Sequence, residues 1–262
     1  MRKKGREKKE IVIEVDLRRV GFMLITILLC LLALVTLFKF ACGFLRIKSF
    51  EAEGVSVYYS VAQLAAAAEL NYGDLLYSTD TSGAERLILE RCVYMESVNI
   101  KRVFPGKIVF EVEEKSPQWY IEITGDFYAL DMDLTVLEES TDEARFKDRG
   151  LTRITLPNVK SAVCGELIYF GADESEIKYA ARLISELCTH PLKPRITVAD
   201  IDNRFDIYIT VDGNYEAHFG DRSNMKSKLD ALEKILTPDF KEKYPRATID
   251  VRDPSTVGVK TG

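Results

Sequence analysis

Residues 98–117 read VNIKRVFPGKIVFEVEEKSP and predict a β-hairpin. Apolar residues alternate with their neighbours along residues 98–104, before the turn, and along residues 108–112, after it. That period of two is typical of a strand with one buried face. Between the two runs, Pro105 and Gly106 are a strong signal for a tight turn. One face of the hairpin must therefore be covered by other parts of the chain.

The residues before this hairpin predict the helices that cover it. Residues 45–53 alternate in part, which predicts a strand that ends at Gly54. Ser60 and Ser82 are each followed three residues later by Gln or Glu, the capping-box signature of a helix start. The first of these helices is rich in Ala and is predicted over residues 61–70. The second has apolar residues three or four positions apart: Ala84, Leu87, Ile88 and Cys92.

A long apolar stretch lies further towards the N-terminus. Residues 20–38 contain no charged side chain, and a helix of that length rises ~28 Å, close to the thickness of the hydrocarbon core of a bilayer. Lys39 follows and can extend to the headgroups, so residues 20–45 are predicted to be a transmembrane helix and its interface. Three alternatives stay open here: a core helix, a cleaved signal peptide and a lipoprotein signal around residues 41–43.

Charge predicts the orientation of this helix. Residues 1–19 carry 8 basic and 4 acidic side chains, and few basic residues follow the span closely. The positive-inside rule therefore predicts a basic cytoplasmic tail at residues 1–19 and an extracytoplasmic C-terminal part in a single-pass membrane protein. Beyond Lys39 the chain has 27 basic and 37 acidic residues, a net charge of −10. Such an acidic ectodomain is a poor match for nucleic acid and predicts no such partner.

Residues 118–262 predict a second domain of short strands and two longer helices. The strands are predicted at 119–123, 127–130, 134–137, 153–156, 196–201, 204–211, 215–219, 248–251 and 257–259. One helix, capped by Asp173, is expected to bury Ile177, Ala181, Ile184, Leu187 and Cys188. The other has Met225, Leu229, Leu232, Ile235 and Leu236 on one face. The predicted fold class is α+β: one N-terminal transmembrane helix, a βααββ domain over residues 46–117, and a mixed α+β domain with a largely antiparallel sheet.

No pattern of catalytic or metal-ligating residues stands out in the sequence. It contains no G-x-S-x-G motif, no P-loop and no H-E-x-x-H motif. His190 and His218 are far apart, and His190 is expected to cap a helix or lie at the surface. Asp131 and Asp133 are typical of a turn rather than of a cation site. Trp119 is expected to pack where the two domains meet. The sequence therefore predicts no enzyme, no cofactor and no metal.

The opening hairpin resembles the second hairpin of the POTRA domain in bacterial cell-division proteins of the FtsQ/DivIB family. That pattern has a basic residue before an aromatic-Pro turn, then an alternating strand, then Glu and Pro. Arg102, Phe104-Pro105, Glu114 and Pro117 occupy these places. The resemblance continues in order to the end of the chain, at residues 127–131, 136–137, 218–220, 228–229 and 249–252.

The resemblance implies a non-catalytic scaffold of the division machinery at the septum. Members of the family bind small FtsL-like and FtsB/DivIC-like membrane proteins and help regulate septal peptidoglycan synthesis, which also implies contact with septal peptidoglycan synthases and with the lipid bilayer. Two rival classes remain: a POTRA-bearing export or envelope-assembly component, and a membrane-tethered envelope enzyme such as a peptidoglycan hydrolase.

The resemblance also implies where a partner binds. In the family a partner adds a strand to the C-terminal edge of the β domain, where exposed N–H and C=O groups can pair with it. Val257 and Val259 lie in the last predicted strand, before a short tail. Arg204 and Arg252 match basic positions beside this edge, and Asp253 falls where some members carry Tyr. The alternative is that both arginines are solvated surface residues.

Overall fold

The computed structural model describes residues 17–54, 57–171 and 174–261. Most of the predicted cytoplasmic tail and the predicted cap at Asp173 lie outside these residues. The predicted α+β class is confirmed: an N-terminal apolar helix precedes a βααββ unit and a domain built on a mixed sheet.

Helix α1, Leu17–Phe44, is apolar and stands apart from the rest of the molecule. Within its stretch Arg18–Phe40, the most apolar window of 18 residues has a mean hydropathy of 2.8, and none of that window is buried by other parts of the chain. The alternative of a core helix is therefore wrong. The length and composition of α1 suit a membrane span or a signal anchor.

The next five elements have the POTRA-like topology that the sequence predicted. They are β1 (Ser49–Glu53), α2 (Val61–Ala67), α3 (Thr81–Arg91), β2 (Met95–Val103) and β3 (Lys107–Glu114). The sheet order is β1-β3-β2, with β1 parallel and β2 antiparallel to β3. Leu64 of α2 and Ile88 of α3 pack with Ile108 and Phe110 of the central strand. The apolar face of the opening hairpin thus packs against both helices.

The capping box at Ser60 is confirmed, and that at Ser82 is wrong. The Ser60 hydroxyl accepts the N–H of Gln63, whose side chain accepts the N–H of Ser60. Helix α3 begins at Thr81 instead, because Asp80 is its N-cap and accepts the N–H of Gly83 at 3.1 Å. Helix α2 ends three residues earlier than predicted.

A nine-stranded mixed sheet forms the second domain, here called the sheet domain. Its order is β12-β11-β10-β9-β8-β7-β4-β5-β6, and five of the eight pairings are antiparallel. The strands are β4 (Trp119–Ile123), β5 (Asp126–Leu130), β6 (Val136–Ser140), β7 (Thr152–Thr155), β8 (Ile196–Asp200), β9 (Ile207–Val211), β10 (Tyr215–Gly220), β11 (Ala247–Asp250) and β12 (Gly258–Thr261). The helices are α4 (Ala144–Lys147), α5 (Glu174–Thr189), α6 (Met225–Ile235) and α7 (Pro238–Lys243), with a 3₁₀ turn at Lys193–Arg195.

Helices α5 and α6 share one core with the inner face of this sheet. The buried stripe of α6 agrees with the prediction, except that Lys228 is buried in it as well. The stripe of α5 is rotated by about one position, because Ala180 and Leu183 are fully buried while Ala181 and Cys188 lie at its margin.

Four side chains that connect the POTRA-like unit to the sheet domain are here called the joint; Lys115 and Asp131 form a further ion pair at 3.6 Å. The rings of Tyr58 and Tyr94 stack with their centroids 3.8 Å apart. The Tyr94 hydroxyl donates to Glu138 of β6 at 2.6 Å, and Arg149 donates to both Glu138 and the Tyr58 hydroxyl. Trp119 is not at this joint, contrary to the prediction, but is buried in the core of the sheet domain.

Candidate partner-binding edge

Strand β12 is the last strand of the sheet, and all four of its residues are exposed. It pairs antiparallel with β11, so that Val259 lies opposite Ile249 and Lys260 opposite Thr248. Among the residues that the structure describes, no strand pairs with its outer side. In such a ladder, alternate N–H and C=O groups point away from the paired strand. The outer side of β12 therefore offers backbone groups to an added strand.

The opposite edge strand of the same sheet, β6, is covered at its start by residues 165–167. Val136 of β6 donates its N–H to Glu166 at 2.9 Å and accepts the N–H of Gly165 at 2.8 Å. Thr135 and Leu167 form an isolated bridge just before it. The two edges of the sheet therefore differ, and β12 is the more open to strand addition.

The side chains of β12 divide between two faces. Val259 shares a face with the buried Ile249 and is only partly covered. Val257, just before the strand, is half-buried against the core of the sheet domain. Lys260 lies on the other face, which is open to solvent. A strand added to β12 could place an apolar side chain beside Val259, which would extend the core. On the other face, an acidic side chain of that strand could pair with the Lys260 ammonium group.

Arg252 lies at the end of β11, next to this edge. Its side chain is 59% exposed, and it binds the Asp250 carboxylate through Nε at 3.0 Å and Nη2 at 2.6 Å. These hydrogen bonds lower the pKa of Asp250 to about 2. The side-chain carbons of Arg252 lie over Gly220, whose φ of +65° favours a residue without a Cβ. Arg252 is thus held beside β12 by a contact that a partner carboxylate could replace.

Asp253 is occupied within its own loop. One carboxylate oxygen accepts the N–H of Ser255 at 2.9 Å and its hydroxyl at 2.6 Å, and the other accepts the Thr256 hydroxyl at 2.8 Å. These bonds lower the pKa of Asp253 and fix the loop that leads into β12. Its predicted contact with a partner stays a prediction, and its visible effect is to orient the strand.

Arg204 is bound to a helix. Sequence reasoning placed it in a strand, but β9 begins at Ile207 and Arg204 lies in the turn before it. Its guanidinium is 2.7 Å from Glu176 of α5 and 4.9 Å from the Tyr179 ring centroid. The structure brings Arg252, Asp253, Val257 and Val259 together around β12, whereas these contacts tie Arg204 to α5.

A polar row crosses the outer face of the sheet towards β12; it includes His218, and none of its members was predicted as a site residue. The His218 ring stacks on Tyr208 with centroids 4.5 Å apart, and its Nε2 is 2.5 Å from Asp206. His218 is paired with Asp250 in the next strand, and Asp250 with Gly258 of β12. Strand alternation was the available signal, but the strand order that joins these residues is a tertiary property.

His190 follows the last residue of α5 and is buried. It was expected to cap a helix or lie at the surface, and the surface position is wrong. Its Nδ1 accepts the N–H of Leu192 at 3.1 Å, which places the ring proton on Nε2, 3.1 Å from Asp230. With Glu233, potential ligand atoms of these residues lie within 4.8 Å of one another. The contacts of His190 with Leu192 and Asp230 join the end of α5 to α6.

No protein-family model matches this chain, and no curated protein matches it. The resemblance noted in the sequence therefore rests on its own residues and on the POTRA-like topology.

Proposed function

We propose that this protein is a non-catalytic scaffold of the bacterial division machinery, of the FtsQ/DivIB type, anchored in the cell membrane by α1. Its N-terminus is cytoplasmic, and its two folded domains are extracytoplasmic at the division septum. Its partners are FtsL-like and FtsB/DivIC-like membrane proteins, through which it helps regulate septal peptidoglycan synthesis.

The observation that carries this proposal is the open β12 edge with Arg252 beside it, in a chain with an apolar helix and a POTRA-like unit. A partner segment adds to β12 as a tenth strand, and its backbone hydrogen bonds supply affinity. An acidic residue in that segment displaces Asp250 from Arg252. Specificity then comes from this charge and from an apolar side chain beside Val259.

Replacing Arg252 by Glu tests the edge. We expect Arg252→Glu to lower recovery of FtsB/DivIC-like and FtsL-like proteins with the full chain by about thirtyfold, which corresponds to ~2 kcal/mol for a binding anchor. The melting temperature should fall only slightly, because the Arg252–Asp250 pair that is lost is exposed and screened by solvent. The matched control is Arg86→Glu on α3, which is 75% exposed in the POTRA-like unit. Equal recovery with both variants would contradict the assignment of the edge.

Localisation tests the division role separately. A fluorescent fusion of the full chain should form a ring at mid-cell during constriction, and depletion of the protein should give filamentous cells. A uniform envelope signal in dividing cells would favour an assembly component or a tethered enzyme. The Arg252→Glu fusion shows whether the β12 edge recruits the protein or acts after its arrival.

A further inference from the structure

The connection between α1 and the POTRA-like unit is short and fixed on one side by a loop. Helix α1 ends at Phe44, and the next carbonyl, of Leu45, accepts the N–H of Leu76 at 2.7 Å. Arg46 and Leu75 form an antiparallel bridge. Leu75 and Leu76 thus lie against the two residues that follow α1, and Tyr77 is the next residue of this loop.

A second loop lies against the same connection. The carbonyl of Gly106, in the turn between β2 and β3, accepts the N–H of Lys48 at 2.7 Å. The approach is so close that a Cβ on Gly106 would overlap the carbonyl oxygen of Arg46. This contact holds the turn that carries Phe104 against residues just after α1.

Both loops expose apolar side chains at this end of the unit. Tyr77 is 60% exposed and Phe104 is 65% exposed, and Leu75 beside them is also exposed. Two cations, Arg46 and Lys48, are exposed among them. These five residues are here called the base surface. Exposed aromatic side chains beside basic ones are the composition of a membrane–water interface.

The length of α1 places the base surface near the headgroup layer of the bilayer. From Arg18 to Phe44 the helix rises about 40 Å, and a bilayer with its headgroups is about 40–45 Å thick. Phe44 therefore reaches the outer part of the headgroup layer. The ammonium group of Lys48 lies 4.7 Å from its ring centroid. Asp74, next to Leu75, accepts the N–H of Asn71 at 3.0 Å.

We propose that the base surface is a membrane-contact surface, with Leu75, Tyr77 and Phe104 in the headgroup layer and Arg46 and Lys48 beside lipid phosphates. The POTRA-like unit is then held against the bilayer by this surface as well as by the covalent link to α1. The inference requires α1 to span the bilayer, but it does not depend on the division partners.

Quenching of tryptophan fluorescence by lipid tests this contact. The full chain is reconstituted into phosphatidylcholine vesicles that contain phosphatidylcholine spin-labelled on its headgroup. Tyr77→Trp and Phe104→Trp each add one reporter to Trp119, which is fully buried. Phe205→Trp is the matched control, because Phe205 is an exposed aromatic residue in the sheet domain. Phe38→Trp reports whether α1 itself is in the bilayer.

We expect the added tryptophans at 77 and 104 to be quenched at least about threefold more than the one at 205. Equal quenching at 77, 104 and 205, with strong quenching at 38, would overturn the proposal, since α1 would be inserted while the base surface stood clear of lipid. Weak quenching at 38 as well would also overturn the proposal, because it would show that α1 does not span the bilayer. The vesicles contain no division partner, so failure of the scaffold role would not alter any of these results.

Discussion

Lys228 of α6 is a buried cation with only 2% of its surface exposed. Its ammonium group donates to the carbonyls of Phe219 and Asp221, both at 2.8 Å, and lies 3.2 Å from the Asp221 carboxylate. It therefore closes the turn after β10 onto α6. The helical periodicity of the sequence shows Lys228 among apolar neighbours, but only the fold shows which carbonyls it satisfies.

We expect Lys228→Met to lower the free energy of unfolding by about 2 kcal/mol. Methionine fills similar space but leaves two carbonyls without their donor, a loss that is partly offset because no charge is buried. The matched control is Lys226→Met, at an exposed position of the same helix. Urea unfolding of the full chain in detergent measures both. Coincident midpoints for the two variants would show that the ammonium group contributes nothing to stability.

At the scale of elements, local pattern predicted the strands better than their order. The opening hairpin lies where alternation placed it, because a strand with one buried face repeats every two residues, and β4 has the predicted bounds. The start of α3 was misplaced, since Asp80, Thr81 and Ser82 are all good N-cap residues and the sequence alone does not rank them. The buried stripe of α5 was predicted in part: Ile184 and Leu187 are fully buried, but packing buries Ala180 and Leu183 more than Ala181 and Cys188.

The candidate edge shows the same division between local and tertiary information. Periodicity predicted a last strand at residues 257–259, close to β12, whereas its edge position in the sheet was expected only from the family resemblance. The pairings of β7 with β8 and of β10 with β11 are parallel because helical crossovers connect them, which agrees with a mixed but largely antiparallel sheet. The contact between Arg204 and Glu176 joins residues far apart in sequence, which no local pattern predicts.

At the scale of the whole molecule, the joint relates the base surface of the POTRA-like unit to β12 of the sheet domain. Its central acceptor is Glu138, which binds the Tyr94 hydroxyl at 2.6 Å and Arg149 at 2.7 Å. Burial tends to raise the pKa of Glu138, but the bonds from Tyr94 and Arg149 and the charge of Arg149 outweigh it and lower that pKa. The ionised carboxylate therefore stabilises the joint above its ordinary pKa of about 4.3, and this stabilisation is lost as the pH falls through the lower folded value.

We expect Arg149→Ala to speed amide hydrogen exchange about tenfold at Tyr58 and Tyr94, because the joint opens without global unfolding. Both amides are protected there, by Glu114 and by the Tyr59 hydroxyl. Arg182→Ala, an exposed position on α5, is the control and should leave exchange unchanged. After correction for intrinsic rates, acidification below about pH 4 should accelerate exchange at Tyr94 in the unmodified chain but add little there in Arg149→Ala. If Arg149→Ala exchanges as slowly as the control, the two domains are held together by other contacts, and the distance from the membrane to β12 does not depend on this joint.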